Sequence, residues 1–325
     1  MPESGQHENA PQKTGAFQGL YFKGKIPVIT LGICVVCIAL FLLVNIPGDA
    51  MDGVRSFLSP GGVETVNGAY WGLVTSNFVH YEIWHIFFNL SWIWYLGREI
   101  EHNENKWFYL LLVLTSAVAS SLAQLSVSDS SGIGISGVVY AIFGYILLRK
   151  RSSGAYTDTL PTRTIHFFLI WLSACVVLTQ LGILLVANGG HAGGLIWGLV
   201  IGAIARYKRN IQVAIGVVGM TAFTVWLAWS PYTTVWLLQE AFRLHDQQQL
   251  AQAMTVYKKI LDRDPASEVA LINIKNLDIY NLELQLDQLY KSGQFDDARQ
   301  LIQQILAIDP DNENAKETLK ILPAD

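Results

Sequence analysis

The sequence predicts an all-α protein: a polytopic membrane helix bundle of about seven spans, followed by a small soluble region of α-helical repeats. Three observations carry this. Of 325 residues, 51% are hydrophobic and only 15% charged, and the mean hydropathy is +0.32, too apolar a balance for an ordinary soluble chain. The apolar residues are segregated into residues 26–230, whereas 231–325 is charged and amphipathic. Lys and Arg also accumulate in alternate connections between the apolar runs, the bias of a chain that crosses a bilayer repeatedly. The expected organisation is a disordered cytoplasmic tail (1–25), a membrane domain (26–230) and an extracytoplasmic helical-repeat domain (231–325). The net charge of −4 gives no reason to invoke nucleic acid.

A span needs about 20 apolar residues to cross a hydrocarbon core ~30 Å thick. Seven runs qualify or approach this, over about 26–47, 82–97, 107–127, 136–149, 165–187, 190–205 and 211–230. Lys13, Lys23 and Lys25 precede the first. Arg98 and Lys106 follow the second, Arg149, Lys150, Arg151 and Arg163 the fourth, and Arg206, Lys208 and Arg209 the sixth. The opposite connections hold Arg55 and little else basic. The N-terminus is therefore expected in the cytoplasm and, with an odd number of spans, the C-terminal region outside. Cys34, Cys37 and Cys175 all fall inside apolar runs, where a thiol serves as a small hydrophobe and no disulfide is expected.

Orientation brings chemistry together. The second, fourth and sixth spans all start from the outer side, with His80 and His85, Ser136, and His191 at their starts. The fourth has about 14 apolar residues, roughly 21 Å of helix, so Ser136 is expected below the outer surface. Polar groups at that depth must line an enclosed, wet cavity. Gly194, Gly198 and Gly202 form a small-residue stripe on the sixth span, and Gly137, Ala141 and Gly144 one on the fourth. Pressed together along these stripes, the two helices bring Ser136 and His191 within reach.

Serine becomes a nucleophile when a base takes its proton, and histidine is the usual base. Acyl transfer also needs donors aimed at the developing oxyanion. His85 and Asn89, four residues apart on one helix face, are neutral donors at the correct end of the second span. The unpaired N–H of Ser136 at its helix start is a third. No Asp or Glu adjoins His191 in sequence, which favours a dyad over a triad, and Tyr140 lies one turn below Ser136, placed to stack on the imidazole.

At this point the sequence resembles the rhomboid intramembrane serine proteases, particularly the bacterial ones, over about residues 70–207. The motifs are His85-Ile-Phe-Phe-Asn89, Gly97 with Glu101, Gly134-Ile-Ser136-Gly137-Val-Val-Tyr140, and His191-Ala-Gly-Gly194 with Gly198 and Gly202. The resemblance implies Ser136 as nucleophile, His191 as base, His85 and Asn89 as oxyanion-hole side chains, and Tyr140 packing under the base, with Gly134 and Gly137 supporting. It further implies cleavage of membrane-anchored proteins in or near their transmembrane segments, with no metal or cofactor, in a bacterial cytoplasmic (inner) membrane. Transmembrane protein substrates and the lipid bilayer are then its partners. Two departures stand out: Trp71 is followed by Gly72 where many members carry arginine, and Arg98 follows Gly97 where a small residue is common. Both bear on loop anchoring rather than chemistry.

The rival readings are weaker. A zinc protease wants H-E-x-x-H or a similar ligand set, which the chain lacks. A transporter more often shows charge within spans and an inverted repeat. His80 reads as an interfacial hydrogen-bonding histidine, with assistance to the site as its other role. From about Thr234, a weak repeat sets Leu250, Ala253, Tyr257, Leu261 and Asp264-Pro265 against Phe295, Ala298, Ile302, Leu306 and Asp309-Pro310. It resembles tetratricopeptide units, with a long helix expected from Pro265 to about Lys291 and Gly293 ending it. Two such units bury little core, so the tail is expected to lean on the membrane domain, a protein partner at these repeats or another copy of itself. The alternative to an enzyme is a noncatalytic, membrane-tethered, client-binding scaffold acting through this tail.

Overall fold

The computed structural model describes residues 26–322, apart from 154, 155, 157 and most of 207–232. The seventh span expected over 211–230 and the N-terminal tail lie almost wholly outside the described residues.

Every described regular element is helical. The first apolar run forms α1 (Val28–Val44). A connection with three short α-helices follows: α2 (Asp52–Leu58), α3 (Gly62–Val66) and α4 (Gly72–Thr75). The second apolar run forms α5 (Ile83–Trp92), which runs through a π-helical turn at Ile93–Gly97 into α6 (Arg98–Asn103). Then come α7 (Lys106–Leu125), α8 (Ser136–Ser153), α9 (Thr162–Gln180) and α10 (Asn188–Arg206). The C-terminal region holds α11 (Thr234–Asp246), α12 (Leu250–Arg263), α13 (Glu268–Lys291), α14 (Phe295–Ile308) and α15 (Glu313–Ile321).

Burial is inverted relative to a soluble bundle. Helix α8 is the hub: Val138, Val139, Ala141, Ile142, Phe143, Tyr145 and Ile146 are all buried, so it is apolar all round because every face meets protein. The outer helices α1 and α9 turn Leu31, Val35, Val36, Leu42, Phe167, Ile170, Trp171 and Val177 outward. That much contiguous exposed apolar surface belongs in hydrocarbon. Helices α7 and α9 are each long and apolar enough to span a membrane.

Two helix ends differ from the sequence expectation. Helix α8 passes its basic cluster and ends at Ser153 instead of about 149. Arg149 bonds Glu104 and Lys150 donates to the Leu160 carbonyl, which holds these residues in helical register. Helix α9 stops at Gln180, a turn or two before the expected 187. Gly182 sits at φ +68 and the N–H groups of Gly182 and Ile183 close back on the Thr179 and Leu178 carbonyls, a glycine C-cap that outweighs the continuing apolar run.

Local packing answers the two departures noted above. The methyl an alanine would add at position 72 falls 2.8 Å from Pro60 Cδ and 3.2 Å from Thr65 Oγ1. Glycine therefore lets the outer connection fold tightly. Trp71 anchors it by donating from Nε1 to the Phe57 carbonyl at 2.8 Å, with the two rings stacked. Arg98 pairs with Glu99 and lies over Tyr95. Buried Glu101 accepts from the Ile29 N–H, the Thr30 N–H and the Thr30 hydroxyl, each at 2.9 Å. It thereby satisfies orphan donors at the start of α1.

Candidate active site

The site begins with the close pairing of α8 and α10. A methyl at position 194 would lie 2.8 Å from the Gly137 carbonyl carbon, and one at 198 would lie 2.6 Å from that of Ala141. Backbone packs directly on backbone there, which only small residues allow. Each helix starts at the same end of this seam, Ser136 on one and His191 in the first turn of the other. Ser136 Oγ lies 2.8 Å from His191 Nε2.

His191 is held from below and behind. The Tyr140 ring sits 4.7 Å from the imidazole, tilted 35° to it, and its hydroxyl donates to the Phe168 carbonyl of α9 at 3.2 Å. His191 Nδ1 is buried with no hydrogen-bond partner among the described residues. The imidazole is thus fixed by packing and by its contact to Ser136.

His85 and Asn89 of α5 rest against Gly134, two residues before Ser136. Gly134 adopts φ +98, and a methyl added there would lie 2.7 Å from His85 Nε2 and 3.4 Å from Asn89 Nδ2. Glycine is needed twice over, for a left-handed turn and for side chains resting on its backbone. The turn is tied down by Gly134 N–H donating to the Ser76 carbonyl at 3.1 Å.

His80 hydrogen-bonds within the protein, beside the proposed site. It is fully buried, its ring 5.0 Å from that of His85. Its Nε2 lies 3.1 Å from Asn89 Nδ2 and 3.4 Å from the Ile135 N–H, and its Nδ1 lies 3.3 Å from the Phe78 carbonyl. These partners together assign a neutral ring protonated at Nδ1 and accepting at Nε2. One Asn89 N–H is thereby occupied, and the amide has a second to give. The segment before α5 folds back over the helix start, which spacing along the chain did not reveal.

A small cavity beside the pair is lined by Asn77, Ser120, Ser131, Gly134, Ser136, Gly137 and His191. Its polar wall joins Asn77 of the outer connection and Ser131 of the loop before α8 to Ser120 of α7. Ser120 Oγ donates to Asn77 Oδ1 at 3.3 Å, Asn77 Nδ2 donates to Ser121 Oγ at 2.9 Å, and Gln124 Oε1 accepts from the Gly190 N–H at 3.1 Å. These groups were missed in the sequence, although Ser116, Ser120 and Gln124 recur every four residues on an otherwise apolar helix. Gly137 is required because a methyl there would lie 2.6 Å from Ser120 Cβ.

Comparison with known proteins follows the same residues. Residues 67–208 match the Rhomboid domain. A "Rhomboid protease GlpG" of Yersinia pseudotuberculosis is 36% identical over 173 residues, 53% of this chain and 61% of that protein. The Yersinia pestis protein of that name has the same identity and coverage. The Yersinia enterocolitica one is 34% identical over 196 residues, 60% of this chain and 68% of the relative. The chain thus spans about three fifths of the length of the first two relatives.

Proposed function

From its membership of the rhomboid family, we propose that this chain is an intramembrane serine endopeptidase that cleaves membrane-anchored proteins within or beside their transmembrane segments. The observation that carries the reading is the 2.8 Å contact between Ser136 Oγ and His191 Nε2 at the starts of two tightly paired helices. In the proposed reaction the Ser136 hydroxyl attacks the scissile carbonyl carbon as its proton passes to His191 Nε2. The tetrahedral oxyanion is met by His85, the free N–H of Asn89 and the Ser136 N–H, all neutral donors preset by the fold. The imidazolium then gives its proton to the leaving amine. A water, deprotonated by His191, hydrolyses the acyl-enzyme and returns the serine hydroxyl.

Substrate reaches this centre as an unwound segment entering between α5, α9 and α10. Helix α9 supports this route, because outside Phe168 and Cys175 it buries little of itself. The proposed topology puts the N-terminus in the cytoplasm of a bacterial inner membrane. Residues 26–230 form the membrane domain and 231–325 lie on the outer side with the site. The packing of the tail against the connection that precedes α8 supports that side. Labelling of the full chain in lipid with a fluorophosphonate, followed by peptide mass spectrometry, tests the nucleophile. Label on Ser136, lost in His191→Ala, is the expected result; label on another serine refutes the assignment.

A further inference from the structure

The C-terminal helices are seated on the segment that delivers the proposed nucleophile. Between α7 and α8, residues 126–135 descend to Ser136 without regular structure. Ser128 Oγ donates to Asp264 Oδ2 at 2.9 Å, and Asp129 Oδ2 accepts from Ser267 Oγ at 2.5 Å. Asp264 caps the end of α12 and Ser267 the start of α13. Both tail partners therefore come from one tight turn between two helices.

The opposite side of the same segment is fixed to the membrane domain. Gly62 N–H donates to the Asp129 carbonyl at 2.8 Å and Gly61 pairs with Ser130 in a short antiparallel bridge. Ser131 Oγ donates to Ser76 Oγ at 3.2 Å, next to the Gly134 bond to the Ser76 carbonyl. Tail and core also share apolar contact. Val235 of α11 is buried with Val66, Leu73, Leu122 and Leu125, and Gln239 Nε2 donates to Asn67 Oδ1 at 2.9 Å. Residues 128–131 are held between the turn at 264–267 and the outer connection, five to eight residues before Ser136.

We infer that the turn between α12 and α13 is a clamp on this segment, and that Asp264 and Ser267 are positioning residues for the proposed serine nucleophile. The inference rests on the protease reading for its activity readout but not for its structural one. A segment with neither helix nor strand keeps its shape through its side-chain and edge contacts, and here two of them, at Ser128 and Asp129, come from outside the membrane domain. The reacting hydroxyl needs near-attack placement, which small displacements destroy. Loosening the clamp therefore lowers turnover without removing any group that touches substrate.

The test uses the full chain in lipid nanodiscs, comparing the native sequence with the double variant Asp264→Ala/Ser267→Ala and with Ser267→Thr. Hydrogen exchange is read over residues 128–135 and within α12 and α13, alongside kcat and KM on a single-span substrate. In the double variant, exchange over 128–135 rises at least tenfold while α12 and the part of α13 beyond its first turn stay protected. Its kcat falls several-fold with KM within twofold, and Ser267→Thr, which keeps the hydroxyl, behaves as native. Unchanged exchange over 128–135 overturns the clamp; raised exchange with native kcat overturns the positioning role. A native chain that cleaves nothing contradicts the protease reading instead, and the exchange data then decide the clamp alone.

Discussion

Replacing Gly194 with alanine sets two known effects against each other. In an unpacked helix the change is favourable by about 0.5–1 kcal/mol, since alanine loses less conformational entropy. Here the added carbon falls 2.8 Å from the Gly137 carbonyl carbon and 3.2 Å from Gly137 Cα, whereas carbon atoms are content at about 3.5–4.0 Å. Helices α8 and α10 must part by roughly 1 Å to restore ordinary contact. Overpacking of this kind costs about 1–3 kcal/mol, so destabilisation wins. The same displacement widens the 2.8 Å gap between Ser136 and His191, and misplacement by about 1 Å lowers a rate on the order of 10²-fold. The assay is thermal unfolding and cleavage of a fluorogenic single-span substrate in proteoliposomes, with Gly32→Ala as control, since a methyl at Gly32 meets nothing within 4 Å. A Gly194→Ala protein with native melting temperature and native kcat would refute the reasoning.

Other consequences follow from the same structure. His85→Ala and Asn89→Ala each lower kcat by about 10²–10³-fold with little change in melting temperature, as expected for lost oxyanion donors; a stability loss with normal turnover would assign them to packing. Glu101→Ala strips three hydrogen bonds from the start of α1 and costs about 1–3 kcal/mol in unfolding measurements, whereas an unchanged melting temperature would show that another group caps α1. Burial pushes the Asp129 carboxyl above the usual carboxylate range, with Ser267 partly offsetting and Asp264 and Glu268 adding to it. A raised folded-state value means that the stability Asp129 contributes is present when it is protonated and is lost as pH rises through that value. Asp129→Asn, neutral throughout and still an acceptor, is therefore equal to native in melting temperature at low pH and more stable above the raised value. A pH-independent difference would count against this.

Legibility in the sequence followed the range of the interactions. The α8 and α10 seam was readable because its glycines recur every four residues, and the placement of Ser136 against His191 follows from that seam. His85 and Asn89 were readable from their own helical spacing. The burial of His80 was not, because it depends on how residues 76–82 fold back over α5, which no periodicity encodes. Helices α2, α3 and α4, of seven, five and four residues, are too short to leave a periodic trace. The early end of α9 turns on Gly182, whose capping geometry competes with an apolar run that reads as continuous. The tail's seat on residues 128–131 joins positions more than 130 apart in the chain, and the polar groups involved look like ordinary loop residues until the fold brings them together.

The central claim is tested most directly by in-membrane cleavage of a single-span substrate by the native chain, Ser136→Ala and His191→Ala, with folding checked by thermal unfolding. Cleavage by the native chain, abolished in both variants at native melting temperature, is the predicted result. Cleavage that survives Ser136→Ala would contradict the account.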